Sequence, residues 1–155
     1  MKFIADAMLG RLAKWLRLSG FDVAYYPDIS DRQVIKIARE EERTILTRDT
    51  RLLKCKGAGN AVFIQSDHIS EQLCEMKNML DFNDPELAER CVACNGRLQK
   101  VEDRDEVKGL VPDHVYYNYG GFTRCGSCGK VYWKGSHYKN IRERIRETLG
   151  KGIED

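Results

Sequence analysis

Two matching C-x-x-C pairs, Cys91-Val92-Ala93-Cys94 and Cys125-Gly126-Ser127-Cys128, limit this chain more than any other feature. Small residues follow each pair, Asn95-Gly96 and Gly129, and permit the tight turn that points two thiols at one ion. Four thiolates suit tetrahedral zinc, or iron in a rubredoxin-like variant. Thiol redox chemistry would use one pair and leave its duplicate without a role. Cys55 and Cys74 stand alone, so in a reducing compartment the six cysteines read as a metal site and not as a disulfide framework. Four cysteines leave no open coordination position, so the expected role is structural. The 30 residues between the pairs would hold the ribbon's strands, Val115-Tyr116-Tyr117 among them. A module this small lacks a sufficient core, and a metal supplies the missing folding free energy.

The first half follows another rule. Lys2 to Ala5 is long enough for one buried strand, and Asp6 ends it. A helical pattern follows, with Leu9, Leu12, Ala13 and Leu16 on one face and a stop at Gly20. Phe21–Tyr26 is a second strand, closed by Pro27. Ser30-Asp31-Arg32-Gln33 has the form of a capping box opening a helix through Val34, Ile37 and Ala38. Thr44–Thr47 is a third strand, followed by Asp49 and a short helix through Leu52 and Leu53. Ala61–Ile64 is a fourth strand, and a helix from Ser70 to Leu80 follows. Strands alternating with helices predict parallel β-α units in a three-layer α/β/α domain. Right-handed crossovers put the carboxyl ends of the strands on one edge. The expected layout is an α/β domain over 1–82, a metal ribbon over 88–138, and a charged helix and tail over 139–155.

Asp6, Asp31 and Asp49 therefore share one predicted edge, where open α/β sheets bind ligands. Each also reads as an ordinary helix-start acid. Three together repel one another unless a cation joins them. Mg²⁺ or Mn²⁺ suits such oxygens, and a pair of ions roughly 4 Å apart would serve phosphodiester cleavage. Asp22 and Asp28 are candidates for a fourth acid. Arg11, Lys14 and Arg17 follow at intervals of three, off the apolar face, as phosphate contacts or a solvated face; Arg48 is a further candidate contact.

Lys+Arg total 26 against Asp+Glu 24, a net +2 that selects no partner. The distribution is more telling: Arg124 to Arg146 holds seven basic residues and one acid, Glu143. Tyr132, Trp133 and Tyr138 interleave with them, a pattern that suits phosphate contact plus base stacking. The competing reading, favoured for Trp133, is that Tyr132 and Trp133 pack the ribbon's small core while the lysines solubilise it. No stretch approaches the roughly 20 apolar residues of a membrane span, and the start has no signal-peptide form. A cytoplasmic protein with no membrane partner is expected.

F-I-A-D-A-M-L-G-R-L-A-K-W-L-R-L-S-G-F-D, D-R-Q-V-I-K-I-A-R-E and I-L-T-R-D resemble the PIN-like Mut-seven C-terminal ribonuclease domain family. C-G-S-C-G-K-V-Y-W-K-G-S-H resembles that family's zinc ribbon. The resemblance covers nearly the whole chain. It implies a PIN-like fold, a zinc ribbon, and cleavage of single-stranded RNA assisted by a divalent metal. It assigns Asp6 to the acid after the first strand, Asp31 to the helix-opening acid and Asp49 to the T-R-D acid. PIN nucleases commonly carry one more acid between the first two, for which Asp22 or Asp28 would have to serve. The expectation is thus a metal-dependent ribonuclease with structural zinc and catalytic Mg²⁺ or Mn²⁺. Its rivals are an inactive RNA-binding adaptor and, more weakly, a phospho-acceptor signalling domain.

Overall fold

The computed structural model describes residues 1–85 and 88–150; residues 151–155 of the expected tail lie outside the described residues. Four strands, β1 (Lys2–Ala5), β2 (Asp22–Tyr25), β3 (Thr44–Thr47) and β4 (Ala61–Phe63), form a sheet in the order β2-β1-β3-β4. All three pairings are parallel. Helices α1 (Gly10–Leu18), α2 (Asp31–Glu40), α3 (Thr50–Leu53) and α4 (Ile69–Met76) connect or follow them.

The apolar strands are explained by their two covered faces. Phe3, Ala5, Val23 and Leu46 point to a core shared with α1 and α4. Their neighbours Ile4, Ala24 and Ile45 point the other way, against Val34 and Ala38 of α2 and Leu52 of α3. Three layers result, as the alternation predicts. Gly20, at φ 94°, ends α1: its N–H donates to Arg17 O, and that of Phe21 to Leu16 O. This is the two-bond cap that favours glycine. The capping box of Ser30 and Gln33 is present in both directions.

The second sheet is antiparallel, with β5 (Leu98–Lys100), β6 (Thr123–Cys125) and β7 (Val131–Tyr132) in that order. Val115-Tyr116-Tyr117 does not join it. These residues lie in a helix, α5 (Asp113–Asn118), and the strand expectation is corrected. Pro112 opens the helix by accepting from the N–H groups of Val115 and Tyr116, and Asp113 places an acid in the first turn. Val115 then packs with Val107, Val111, Phe122 and Val131, while Tyr117 faces solvent. The β-branched and aromatic run suggested a strand, but the start signal prevailed. The last helix, α6 (Ser136–Leu149), returns to the first domain and buries Ile145 and Leu149 in its main core.

The ribbon docks on the free side of β2. Arg17 is only 4% exposed, so it is no member of a solvent-facing basic row with Arg11 and Lys14. Its Nε donates to Val23 O and its Nη1 to Val92 O, both at 2.9 Å. Asn95 donates to Asp22 Oδ1 at 2.7 Å and accepts from Val23 N at 3.0 Å. Asp22 also pairs with Arg43 at 2.6 Å. It begins β2 opposite Lys2, at the amino-terminal edge of the sheet, so it is structural and cannot complete an acidic site at the other edge.

Burial alone would raise the Asp22 pKa, but hydrogen bonds from Arg43 and Asn95, with the charges of Arg43 and Arg90, hold it below the ordinary 3.8. A carboxyl depressed in the fold stabilises above its unfolded pKa and loses that contribution as pH falls through the folded value. Asp22→Asn should cost about 1–3 kcal/mol at neutral pH. Urea unfolding should show that deficit shrinking as pH falls below 3.8.

Candidate active site and metal centre

β1 and β3 are neighbours, so the residues after them meet at the carboxyl edge. Asp6 is 6% exposed and caps the short 3₁₀ turn Ala7–Leu9. Its Oδ1 accepts from Met8 N at 2.9 Å. Its Oδ2 accepts from Thr47 Oγ1 at 2.5 Å and from Arg48 N at 2.9 Å. Three donors fix the direction of this carboxyl group. Capping and site formation therefore use the same geometry.

Thr47 is fully buried, and its hydroxyl also accepts from Asp49 N at 2.9 Å. It joins the first acid to the third. The sequence reading did not single it out, although a threonine closing a buried strand just before R-D was the available signal. Asp49 caps α3 through Arg51 N at 2.8 Å and pairs with the Arg51 guanidinium at 3.3 Å. The Arg51 N–H and guanidinium hold the Asp49 carboxyl below its usual range. Asp31 opens α2, is exposed, and lies near enough to raise the Arg51 pKa, after the larger effect of Asp49. A linked row results: Asp6, Thr47, Asp49, Arg51, Asp31. Only the four cysteines, among the described residues, bring three or more possible ligand atoms within 4.8 Å of one another. The three acids are thus lined along one edge without closing into a cage.

Asp28 lies exposed in the turn after β2, on the same edge, and remains eligible as a fourth acid. Asp67, between β4 and α4, is another that the sequence reading missed. Its signal is positional: β4 pairs with β3, and Arg48 Nη2 reaches Gln65 O at 3.3 Å. Arg48 Nε is buried with no hydrogen-bond partner among the described residues. Arg11 and Lys14 are exposed on α1, Arg11 lying 5.8 Å over the Trp15 ring.

At the ribbon, Cys91 and Cys128 Sγ are 3.6 Å apart, and Cys94 and Cys125 Sγ 3.4 Å. Tetrahedral zinc with Zn–S near 2.3 Å needs sulfurs about 3.8 Å apart, so this cluster fits the ion closely. Asn95 at φ 70° and Gly129 at φ 79° turn the two knuckles. A Cβ at Gly96 would stand 2.8 Å from Cys125 Sγ, which accounts for the glycine there. Burial pushes the Cys125 thiol up, but the N–H groups of Cys128 and Ser127 more than reverse it, to about 6. Burial raises Cys94 to about 12. His137 is not needed as a ligand.

The fold and site define an all-parallel α/β domain with acids along its carboxyl edge, docked to a ribbon whose four cysteines could hold one metal ion. The chain belongs to the Mut7-C RNAse domain family, whose model matches residues 1–145. No curated protein and no solved structure matches it. No helix among the described residues is long and apolar enough to cross a membrane.

Stripping the metal should disturb both halves, because Val92 and Asn95 of the first knuckle hold α1 and β2. Cys94→Ser, or chelation with thiol trapping, should release about one zinc per chain and lower the melting temperature of the whole protein. Elemental analysis with circular dichroism checks this. An unchanged melting temperature after zinc loss would uncouple the ribbon from the sheet.

Proposed function

We propose that this chain is a metal-dependent ribonuclease that hydrolyses phosphodiester bonds in single-stranded RNA at the carboxyl edge of its parallel sheet. The observation that carries the reading is Asp6, a buried carboxyl group held by three donors at the strand end and linked through Thr47 to Asp49. The donor set is hard oxygen, which suits Mg²⁺ or Mn²⁺. An open row also suits Mg²⁺, which uses one or two carboxylates and keeps several waters. Asp6 would be the central ligand, with Asp49 and Asp31 flanking it. Such an ion supplies charge stabilisation for phosphoryl oxygens and a water of lowered pKa.

The chain's own residues do the rest. The Thr47 hydroxyl and the Arg48 N–H keep Asp6 aimed, so no reorganisation is needed when substrate arrives. Arg48 follows Thr47 at the same strand end, its side chain partly exposed and its Nη2 donating to Gln65 O, so it is a candidate phosphate contact. Arg11 and Lys14 extend positive charge along α1.

One observation favours the alternative of an RNA-binding adaptor without catalysis: Asp49 is already paired with Arg51, a protein cation in place of an ion. The pair is exposed and therefore weak, so a metal ion can displace it. The deciding assay is cleavage of single-stranded RNA with Mn²⁺ or Mg²⁺ added. Wild type should cleave, and Asp6→Asn should lose at least about a hundredfold in rate while keeping its fold. Equal cleavage by both proteins sinks the active-site assignment. RNA binding by both without cleavage favours the adaptor.

A further inference from the structure

A cavity of about 550 Å³ has none of Asp6, Asp31 and Asp49 in its lining. It lies where α1 ends at Leu18, α6 begins and the ribbon meets them. Because α1 starts at the carboxyl edge and returns the chain to the start of β2, this cavity opens at the amino-terminal edge of the sheet. Its volume is in the range of small-ligand sites.

Its walls are aromatic and basic together. Trp133, Tyr138 and Phe82 contribute rings, and Arg142 and Lys134 stand beside them. With Arg17 and Arg90, the described residues of the wall include four cations and one acid, Glu89. Arg17 is buried and gives its guanidinium to two backbone carbonyls. The charge facing the cavity is therefore that of Lys134, which is exposed, with Arg142 behind it. Arg142 lies 5.8 Å over the Tyr138 ring and donates to Leu18 O. Lys134 is 57% exposed and meets Glu89 at only 4.0 Å, a pair that a stronger anion can displace. Lys134 and Tyr138 also flank the first turn of α6, whose N-cap Gly135 provides no side-chain acceptor, so the helix end favours negative charge.

We propose that this cavity is a nucleotide subsite, binding one base and phosphate of the RNA chain whose cleavage occurs at the opposite edge. The inference rests on the ribonuclease reading and adds a second contact to it. Flat rings stack a base without regard to sequence, and the two cations hold its phosphate. Four-residue strands at about 3.3 Å per residue put roughly 13 Å of sheet between the two edges. Exposed Arg11 and Lys14 lie on α1, the element that spans that height. An extended RNA strand following α1 therefore meets the acids at one end and the cavity at the other. The ribbon contributes a wall of the RNA site as well as a structural metal.

The test is RNA binding by the purified full chain with Mg²⁺ and Mn²⁺ omitted, so that no cleavage occurs. A labelled single-stranded dodecamer is followed by anisotropy, indole emission is read in parallel, and unlabelled hexaglutamate is the competitor. Wild type should bind with quenching of indole emission. Trp133→Leu should remove the quenching and weaken binding about tenfold. Lys134→Gln alters only an exposed side chain; it should weaken binding and lower the slope of log affinity against log salt by about one. Hexaglutamate, which offers charge without bases, should compete poorly. Wild-type affinity and salt slope in both variants would overturn the subsite. So would competition by hexaglutamate equal to that of unlabelled RNA. If those results come with intact Mn²⁺-dependent cleavage, the subsite falls and the nuclease reading stands. If wild type neither binds nor cleaves RNA, both fall.

Discussion

The two halves of this protein depend on a buried guanidinium. Arg17 lies near the end of α1, almost without solvent, and bridges a carbonyl of β2 to a carbonyl of the first zinc knuckle. Burial lowers its pKa, while the nearby charges of Cys94, Cys91 and Asp22 act in the other direction. A buried cation is tolerated only where such partners compensate for its desolvation. The ribbon's position is thus tied to the charge state of its own thiols. Asp22, Arg43, Arg90 and Asn95 extend this polar seam along the start of β2. The seam fixes the ribbon at one edge of the sheet and leaves the opposite edge open.

That asymmetry organises the molecule. Strand ends on the carboxyl side hold Asp6 and Asp49 in rigid positions, Asp6 buried and Asp49 half-buried. On the amino side the start of β2 is bonded to the first knuckle of the ribbon. The acids share an edge with Arg48, and the aromatic cavity with Lys134 and Arg142 lies at the other. α1 runs between them and carries Arg11 and Lys14 on its exposed face. Each feature follows from one topological fact: parallel strands send all their carboxyl ends the same way.

Most of the fold was legible because its signals are local. Alternating apolar strands and helices gave the α/β domain, Gly20 ended α1 as glycine at φ 94° should, and Ser30 with Gln33 opened α2. The cysteine spacing foretold the cluster of four thiols that could hold a metal ion. What escaped depended on partners distant in sequence. Arg17 looks like Arg11 and Lys14 until the knuckle 75 residues away supplies a carbonyl. Asp22 looks like an available acid until Arg43 and Asn95 surround it. Thr47 acquires its role only when β3 lies beside β1. Val115-Tyr116-Tyr117 failed differently, since a proline-aspartate start outweighed residues that favour strands. The acidic row was legible as an edge, but its spacing, with Arg51 between Asp49 and Asp31, was not.

The bond from Val23 N to Asn95 has a consequence for the protein in solution. β2 is the outer strand of the sheet, paired only with β1, and an outer strand offers its free backbone groups to any passing chain. Here the first knuckle occupies that position, with Asn95 accepting from the strand and Arg17 taking its carbonyl. The four thiols of that ribbon are close enough to hold one ion, which would fix the knuckle's shape. If the knuckle came away, an apolar strand, Val23-Ala24, would stand with its hydrogen-bonding edge uncovered. A metal at those cysteines would thus guard against strand-to-strand association between copies, and its loss would be felt first as insolubility.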